Sequence, residues 1–232
     1  MSQLVLVTRP IEQALQLAEQ IKSLGFDSIL QPVLKIEYTP FSFDTFEDYN
    51  GLILSSAQSI QNQLIPTAWE TTPVFCVGEM TAHAAIQSGF KKVFTGQGGL
   101  LDLVPLIERQ VPASGKLLYL RGENVRHDLN KVLTGHAIYE QITYQAKPIL
   151  QISPDVLDRF GQIDVITVFS ARSGAVLKQL IKENGLTSYT PRIKLLCLSP
   201  SVVESMVEMN WKSCAIPDFP NQRSVIEKLK SL

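Results

Sequence analysis

Small hydroxylated residues and arginines follow most of the short apolar segments of the chain, and a helical pattern usually comes next. Hydroxyl groups, guanidinium groups and the free backbone N–H groups at the start of a helix all donate hydrogen bonds to anions. The sequence therefore predicts a binding site for carboxylates or phosphates. The candidate residues are Thr8, Arg9, Ser55, Ser56, Gly78, Thr81, Arg121, Gly122, Ser170, Arg172, Ser199 and Ser201.

A purely structural interpretation of the same residues stays open. Ser and Thr before a helix commonly serve only as N-caps. Arg9 and Arg121 could each belong to a surface ion pair, although both follow a strand at equivalent positions of an internal repeat.

The sequence lacks the motifs of nucleotide binding, metal binding and nucleophilic catalysis. The chain has no G-x-G-x-x-G after its first apolar segment and no G-x-x-x-x-G-K-[ST], so it lacks both common phosphate loops. His83, His127 and His136 lack the spacing of metal ligands, and no carboxylate cluster suggests a metal. No Ser-His-Asp or Cys-His set can be assigned. We therefore expect chemistry without a cofactor, a metal or a nucleophile triad.

The composition is typical of a soluble globular protein. Hydrophobic residues make up 45% of the chain and the formal net charge is −1, so the basic surface of nucleic-acid-binding proteins is not expected. The three cysteines lie far apart, which favours a reducing compartment over a disulfide framework. No apolar run approaches the ~18 residues of a membrane span, and the opening MSQLVLVTRP indicates a strand. We expect a cytoplasmic protein that binds neither membrane nor nucleic acid.

The candidate residues need a scaffold of alternating strands and helices. Residues 4–8 form an apolar segment. A helical pattern follows, with Ile11, Leu15, Ala18 and Ile21–Leu24 at the spacing of one face, and Gly25 ends that helix. This alternation predicts an α/β fold with parallel sheets covered by helices on both faces. Further strands are predicted at 28–31, 51–55, 73–77, 91–94, 116–120, 137–143, 163–169, 193–198 and 213–216.

Three kinds of segment occur twice in the chain. The pairs are 49–60 with 163–174, 73–85 with 193–205, and 116–140 with 3–29. Each member of the last pair is predicted to be a strand, an arginine, a helix, a glycine and a second strand. The order of the segments differs by a circular shift between the copies, which indicates one domain inserted into another. Chance similarity among βα units is the alternative.

The repeat predicts a domain 1 of residues 1–34 and 147–232 and an inserted domain 2 of residues 35–146. The two similar parallel-sheet α/β domains would be joined by a two-stranded antiparallel hinge, with strands at about 34–38 and 141–147. Ligands of open parallel sheets bind beyond the carboxyl ends of the strands. Two such edges facing each other across the hinge would form a cleft lined by amide and hydroxyl donors.

The repeated segments also resemble the successive signature segments of uroporphyrinogen-III synthases, in order and over essentially the whole chain. The opening VTRP, Gly25-Phe26 and Pro32-Val33-Leu34 are similar to that family as well. The segments that carry the resemblance are YNGLILSSAQSI, VFCVGEMTAHAAIQSGF, LLYLRGE, ITYQA, VITVFSARS and LLCLSPSVVESM.

The resemblance implies a lyase of porphyrin biosynthesis that acts on hydroxymethylbilane, a linear tetrapyrrole with eight carboxylates. Its reaction loses water, closes the macrocycle and inverts ring D, through an azafulvene and a spiro-pyrrolenine intermediate. No metal or organic cofactor takes part. The resemblance also implies a monomer in transient contact with the preceding enzyme of the pathway.

Residue roles follow from the same resemblance. Tyr144 matches the hinge tyrosine that is expected to donate a proton to the leaving hydroxyl. Some members have Ser-Pro-Arg where this chain has Ser56-Ala57-Gln58, so a charge contact is lost there, while Arg172 keeps it in the other copy. By the same resemblance, Ser56, Thr81, Ser170, Ser201 and Lys194 match cleft positions of the family. Together with residues chosen for their place after a strand, they make up the expected substrate-binding set: Arg9, Ser55, Ser56, Thr81, Arg121, Gly122, Ser170, Arg172, Lys194 and Ser201.

Two rival functions remain at the level of sequence. A ligand-binding or regulatory module with the same two domains would bind an anionic small molecule without turnover. A two-domain nucleotide-sugar transferase would need a phosphate site, and the absent phosphate loop weighs against it. Incubation with hydroxymethylbilane separates the enzyme from the module.

Overall fold

The computed structural model describes residues 2–46, 48–61, 63–124 and 128–232 of the chain. It is an α/β protein that divides into two compact units. The first unit comprises Met1–Lys35 and Lys147–Leu232, and the second comprises Ile36–Ala146. The chain passes between the units in β3 and β8, whose bounds follow.

The strands are β1 (Leu4–Val7), β2 (Asp27–Leu30), β3 (Leu34–Tyr38), β4 (Gly51–Leu54), β5 (Val74–Cys76), β6 (Val93–Thr95), β7 (Lys116–Gly122), β8 (Ala137–Pro148), β9 (Ile163–Val168), β10 (Lys194–Cys197) and β11 (Ser213–Ala215). The α-helices are α1 (Ile11–Ser23), α2 (Glu79–Gln87), α3 (Val104–Gln110), α4 (Pro154–Arg159), α5 (Ala171–Glu183), α6 (Pro200–Glu204) and α7 (Gln222–Lys230). Among the described residues, every helix is too short or too polar to span a membrane.

The first unit contains a five-stranded sheet in the order β11-β10-β9-β1-β2, and all neighbouring strands are parallel. Its core joins the sheet to α1 and α7 through residues such as Val5, Leu17, Val165, Leu196 and Leu229. Burial on both faces explains why β1 and β9 are almost continuously apolar. The first unit is thus built on a parallel sheet, and the carboxyl ends of its strands lie along one edge.

The second unit contains a six-stranded sheet in the order β3-β8-β7-β4-β5-β6. The pairs from β8 to β6 are parallel. The edge strand β3 is antiparallel to β8: the Thr39 N–H donates to the Thr143 carbonyl at 2.8 Å, and the Ile149 N–H donates to the Val33 carbonyl at 2.9 Å. The predicted fold class, α/β with two mostly parallel sheets, is confirmed.

Alternation along the strands divides the core of the second unit into two layers. Leu52, Leu54 and Leu118 face one cluster. Ile53 and Tyr119 face the other, which α3 covers. Because strand side chains alternate and both faces of the sheet are buried, Tyr119 lies among apolar side chains.

Two details of the sequence prediction were wrong. The buried face of α1 consists of Ala14, Leu17 and Ile21, whereas Ile11 and Leu15 are about half exposed, at 48% and 52%. The apolar spacing of α1 therefore fits two faces, and packing against the sheet selects one of them.

The helix expected after Arg121 is the second difference. Its start, which includes His127, lies outside the described residues. Residues 128–136 contain a 3-10 turn, Leu129–Lys131, instead of an α-helix. Asp128 caps this turn by accepting a hydrogen bond from the Asn130 N–H.

Candidate active site

Several candidate residues of the first unit lie at the carboxyl ends of β1, β9 and β10. Thr8 is fully buried, and its hydroxyl donates to the Thr167 carbonyl at 2.7 Å, which ties β1 to β9. The Ser170 hydroxyl accepts from the Ser173 N–H at 3.0 Å and caps α5. Thr8 and Ser170 therefore have structural roles, as the N-cap interpretation expects for a serine before a helix.

The first turns of α5 and α6 carry the remaining candidates of this edge. Arg172 is half-buried in the first turn of α5. Ser199 precedes α6, and its hydroxyl lies 3.1 Å from that of Ser201. At the start of α5 the Ser173 N–H is already bound by Ser170, so an anion contact at these helix ends stays a prediction.

Arg9 is the most unusual charge of this edge. Its guanidinium is largely buried and donates to the side-chain oxygens of Gln13, at 2.7 and 3.0 Å, and of Gln222. It also lies 4.4 Å from the centre of the Phe169 ring. All of these partners are neutral, and among the described residues no carboxylate pairs with Arg9. Burial without a counter-charge lowers the pKa of Arg9 from 12.5 to about 10, which leaves it a cation at neutral pH.

Arg121 in the second unit has the opposite environment. Its Nε lies 2.7 Å from Glu140 Oε2, and its terminal N–H groups donate to the carbonyls of Gly122 and Glu123 at 2.9 and 3.0 Å. The guanidinium is thus neutralised within its own sheet. Arg9 and Arg121 occupy equivalent repeat positions, but only Arg9 lacks an anionic partner within the described chain.

Tyr144 lies in β8 beside the carboxyl end of β7. The pairing of β7 with β8 shifts between Arg121 and Gly122, so that Gly122 faces Tyr144. The half-buried ring of Tyr144 covers Gly122. Ser55 and Ser56 follow the neighbouring strand β4, so the structure brings Tyr144, Gly122, Arg121 and these serines to one edge of the second sheet.

Tyr119 belongs to this edge, and sequence reasoning missed it. Its side chain is only 1% exposed, and its hydroxyl has no hydrogen-bond partner among the described residues. Burial chiefly raises the pKa of Tyr119, with smaller contributions from Glu140 and Tyr144. Nearby Ser55 and Arg121 act in the opposite direction. A tyrosine in the middle of a buried strand was the available signal, because such a hydroxyl needs a partner.

Ser56 and Thr81 are the remaining hydroxyl-bearing candidates of the second unit. Ser56 caps only the short 3-10 turn Ala57–Ser59, where its hydroxyl accepts from the Gln58 N–H at 3.2 Å. Thr81 lies in the first turn of α2 and is 5% exposed. A substrate contact through the Thr81 side chain stays a prediction.

Lys194 is not brought together with these residues. It is the first residue of β10, at the amino end of the strand, and its Nζ donates to the carbonyl oxygen of Leu232. Arg9 and Ser199 lie at the carboxyl ends of their strands, on the opposite edge of the same sheet. We therefore leave Lys194 out of the proposed site.

A small cavity of about 180 Å³ lies beside the second-unit edge. Gln58 lines it, is 8% exposed and accepts a hydrogen bond from the Tyr38 hydroxyl at 2.5 Å. The uncharged Gln58 is thus held inside the unit by Tyr38. The described residues contain no grouping of three or more His, Cys, Asp or Glu side chains suited to a metal ion.

The class of protein is set by this arrangement: a two-unit α/β protein with hydroxyl and guanidinium donors at the carboxyl ends of two parallel sheets. Residues 16–227 match the family described as Uroporphyrinogen-III synthase HemD. The chain belongs to this family, and it is accordingly a cyclising lyase of tetrapyrrole biosynthesis with a small-molecule substrate. No curated protein matches the chain.

Solved structures with the same fold bear the same name. The chain is similar to the uroporphyrinogen-III synthetase of Helicobacter pylori 26695, at 16% identity and a TM-score of 0.64, over 100% of this chain and 99% of that one. It is also similar to a mutant uroporphyrinogen III synthase of the extremely thermophilic bacterium Thermus thermophilus, at 15% identity and a TM-score of 0.59, over 99% and 98% of the two chains. At these identities the likeness shows the fold alone.

Proposed function

We propose that this chain converts hydroxymethylbilane into uroporphyrinogen III, with loss of water, closure of the macrocycle and inversion of ring D. The observation that carries the proposal beyond family membership is Arg9. A buried cation with neutral partners is costly unless an anion accompanies it. The substrate of this family has eight carboxylates, and one of them would be that anion.

The candidate residues at the strand ends of each unit would mainly hold and orient the substrate. A pyrrole nitrogen of the substrate can itself expel the hydroxyl group, so the protein need not supply a nucleophile. Binding several carboxylates at fixed points would fold the linear molecule so that ring D attacks through its substituted carbon. Orientation of this kind can lower a barrier by about 7–11 kcal/mol. The proposed binding residues are Arg9, Ser55, Ser56, Thr81, Arg121, Ser170, Arg172 and Ser201.

Tyr144 is the proposed proton donor to the departing hydroxyl group. Its ring lies at the carboxyl end of β7, and its hydroxyl oxygen lies against Gly122. A phenol is a suitable general acid because it is protonated at neutral pH and can be placed by its rigid ring. We further propose that the protein works as a cytoplasmic monomer and receives its unstable substrate by transient contact with the preceding enzyme.

The direct test is to incubate the purified chain with freshly prepared hydroxymethylbilane and to separate the product isomers by chromatography. The expected result is the type-III ring, formed faster than the type-I ring that arises without enzyme. Type-I product alone would contradict the proposal and would favour a binding module, whose saturable binding of the tetrapyrrole could then be measured by fluorescence quenching.

A further inference from the structure

The ladder between β7 and β8 is interrupted at one place. The strands pair residue by residue as far as Arg121 with Ile142, and the next pair is Gly122 with Tyr144. Thr143 is therefore an extra residue in β8, and the Glu123 N–H donates to the Tyr144 carbonyl at 3.0 Å beyond it. A bulge of this kind turns the following side chain to a new direction. Here the side chain that it turns is the phenol of Tyr144.

The ring of Tyr144 fills the space that a side chain at position 122 would need. A Cβ atom on Gly122 would lie 2.6 Å from Cζ of Tyr144 and 2.8 Å from its hydroxyl oxygen. Both distances are far below van der Waals contact. The positive-φ glycines of the described chain do not include Gly122. Glycine is therefore required at 122 for space rather than for backbone conformation.

We infer that Gly122 is a positioning residue, which together with the bulge at Thr143 fixes the phenol of Tyr144 at the edge of the second sheet. The inference rests on the proposed function, because it assigns Gly122 a role through Tyr144 instead of a contact with the substrate. Proton transfer requires the donor within about 2.6–3.2 Å of the acceptor. A displacement of about 1 Å can lower the rate about a hundredfold.

The clash identifies which group would move in a Gly122→Ala variant. The three nearest atoms all belong to the outer end of the Tyr144 ring: Cζ, Oη and Cε2. The ring is half-buried and can rotate about its side-chain bonds. Gly122→Ala should thus leave the fold intact and displace the hydroxyl.

The test compares Gly122→Ala with Gly135→Ala, in steady-state production of the type-III ring. Gly135 lies in the same unit, has no atom within 4 Å of an added Cβ and has no positive φ. Gly122→Ala is expected to lower kcat about a hundredfold with less than a twofold change in KM. Gly135→Ala should match the wild type, and the Tm of both variants should stay within about 4 °C of it.

A double variant separates positioning from packing. If Gly122 acts through Tyr144, Gly122→Ala in a Tyr144→Phe background should lower kcat by less than twofold further. Additive losses, a raised KM with unchanged kcat, or wild-type kinetics for Gly122→Ala would each overturn the inference. Failure of the proposed function looks different, since the wild-type chain itself would then give no type-III product.

Discussion

Arg9 and Arg121 show how one residue type at equivalent repeat positions acquires two roles. Arg121 has Glu140 as its counter-charge, whereas Arg9 has glutamines and an aromatic ring. The difference depends on which side chains the neighbouring strand and helices present. Arg9 is therefore the better candidate for a substrate carboxylate.

Replacement of Arg9 by Met should affect binding more than folding. The buried charge would be removed, so the Tm of the ligand-free protein is expected to be unchanged or higher. KM should rise about tenfold or more, because a charge-assisted hydrogen bond contributes about 1.5–3 kcal/mol. Arg121→Met should lower the Tm instead, since it leaves Glu140 without its partner. A lowered Tm together with an unchanged KM for Arg9→Met would contradict this assignment.

Tyr144 should matter more to turnover than any single serine of the site. Tyr144→Phe removes only the hydroxyl group and should lower kcat about a hundredfold, within the usual range for a general acid. Ser56→Ala should lower it by a few-fold at most, because several donors share the substrate carboxylates. Initial rates of type-III formation at saturating substrate provide the comparison. Similar losses in the two variants would exclude the proton-donor role.

Capping serines illustrate how the same dipeptide serves different elements. Ser170 caps α5, which has 13 residues, whereas Ser56 caps a 3-10 turn of only three. The Ser-Ala sequence is the same after β4 and β9, but the length of the following segment differs. The free energy that each cap contributes to stability should differ with the length of the segment that it caps.

Hydrogen exchange can measure this difference. Ser170→Ala should reduce the local stability of the first turn of α5 by about 1 kcal/mol, the usual cost of a lost N-cap. Peptides that cover the start of α5 should then exchange about fivefold faster. Ser56→Ala should change exchange in Ala57–Ser59 by less than half of that free energy. An unchanged exchange rate at the start of α5 would show that Ser170 does not stabilise its helix as a cap.

At the scale of the whole molecule, each unit contains one buried thiol in the middle of its sheet. Cys76 lies in β5 of the second unit and Cys197 in β10 of the first, and neither side chain is accessible. Burial raises the pKa of both thiols from 9.0 to about 12. Both units therefore share one source of alkaline instability.

Stability should fall as pH rises above about 9. The folded-state pKa of each thiol exceeds its unfolded value, so the thiol ionises more readily in the unfolded chain. The stability that depends on the protonated, buried thiol is therefore complete below the unfolded pKa and is lost as pH rises towards 12. The thiol of each unit should contribute a decrease of about 1.4 kcal/mol per pH unit to the free energy of unfolding in this window. In the second unit the raised pKa of Tyr119 acts in the same direction, and in the first unit the lowered pKa of Arg9 acts in the opposite one. Urea unfolding at several pH values measures the slope. Cys76→Ala should reduce the slope of the second unit only, and an unchanged slope there would contradict the role of Cys76.

Strand positions were predictable because parallel strands buried on both faces are short, continuous apolar segments. Residues such as Val5, Ile53 and Leu196 belong to such segments and lie in the cores. The helix expected after Arg121 was wrong because similarity to the first segment outweighed local chemistry: Asp128 and Asn130 favour a capped turn. The predicted face of α1 was wrong because Leu15 and Leu17 are equally apolar, and only contact with the sheet distinguishes them.

The sequence by itself determined the α/β class, the alternation of elements, the family resemblance and the hydroxyl and guanidinium residues that follow the strands. These features depend on the spacing of residue types over short stretches of the chain, which can be read directly from the sequence. Tertiary structure decided which of those residues serve a site. It gave Arg121 a carboxylate and left Arg9 without one, moved Lys194 to the opposite edge, buried the hydroxyl of Tyr119 and placed Tyr144 over Gly122. Each of these outcomes depends on contacts between residues far apart in the chain, and strand register and packing set those contacts.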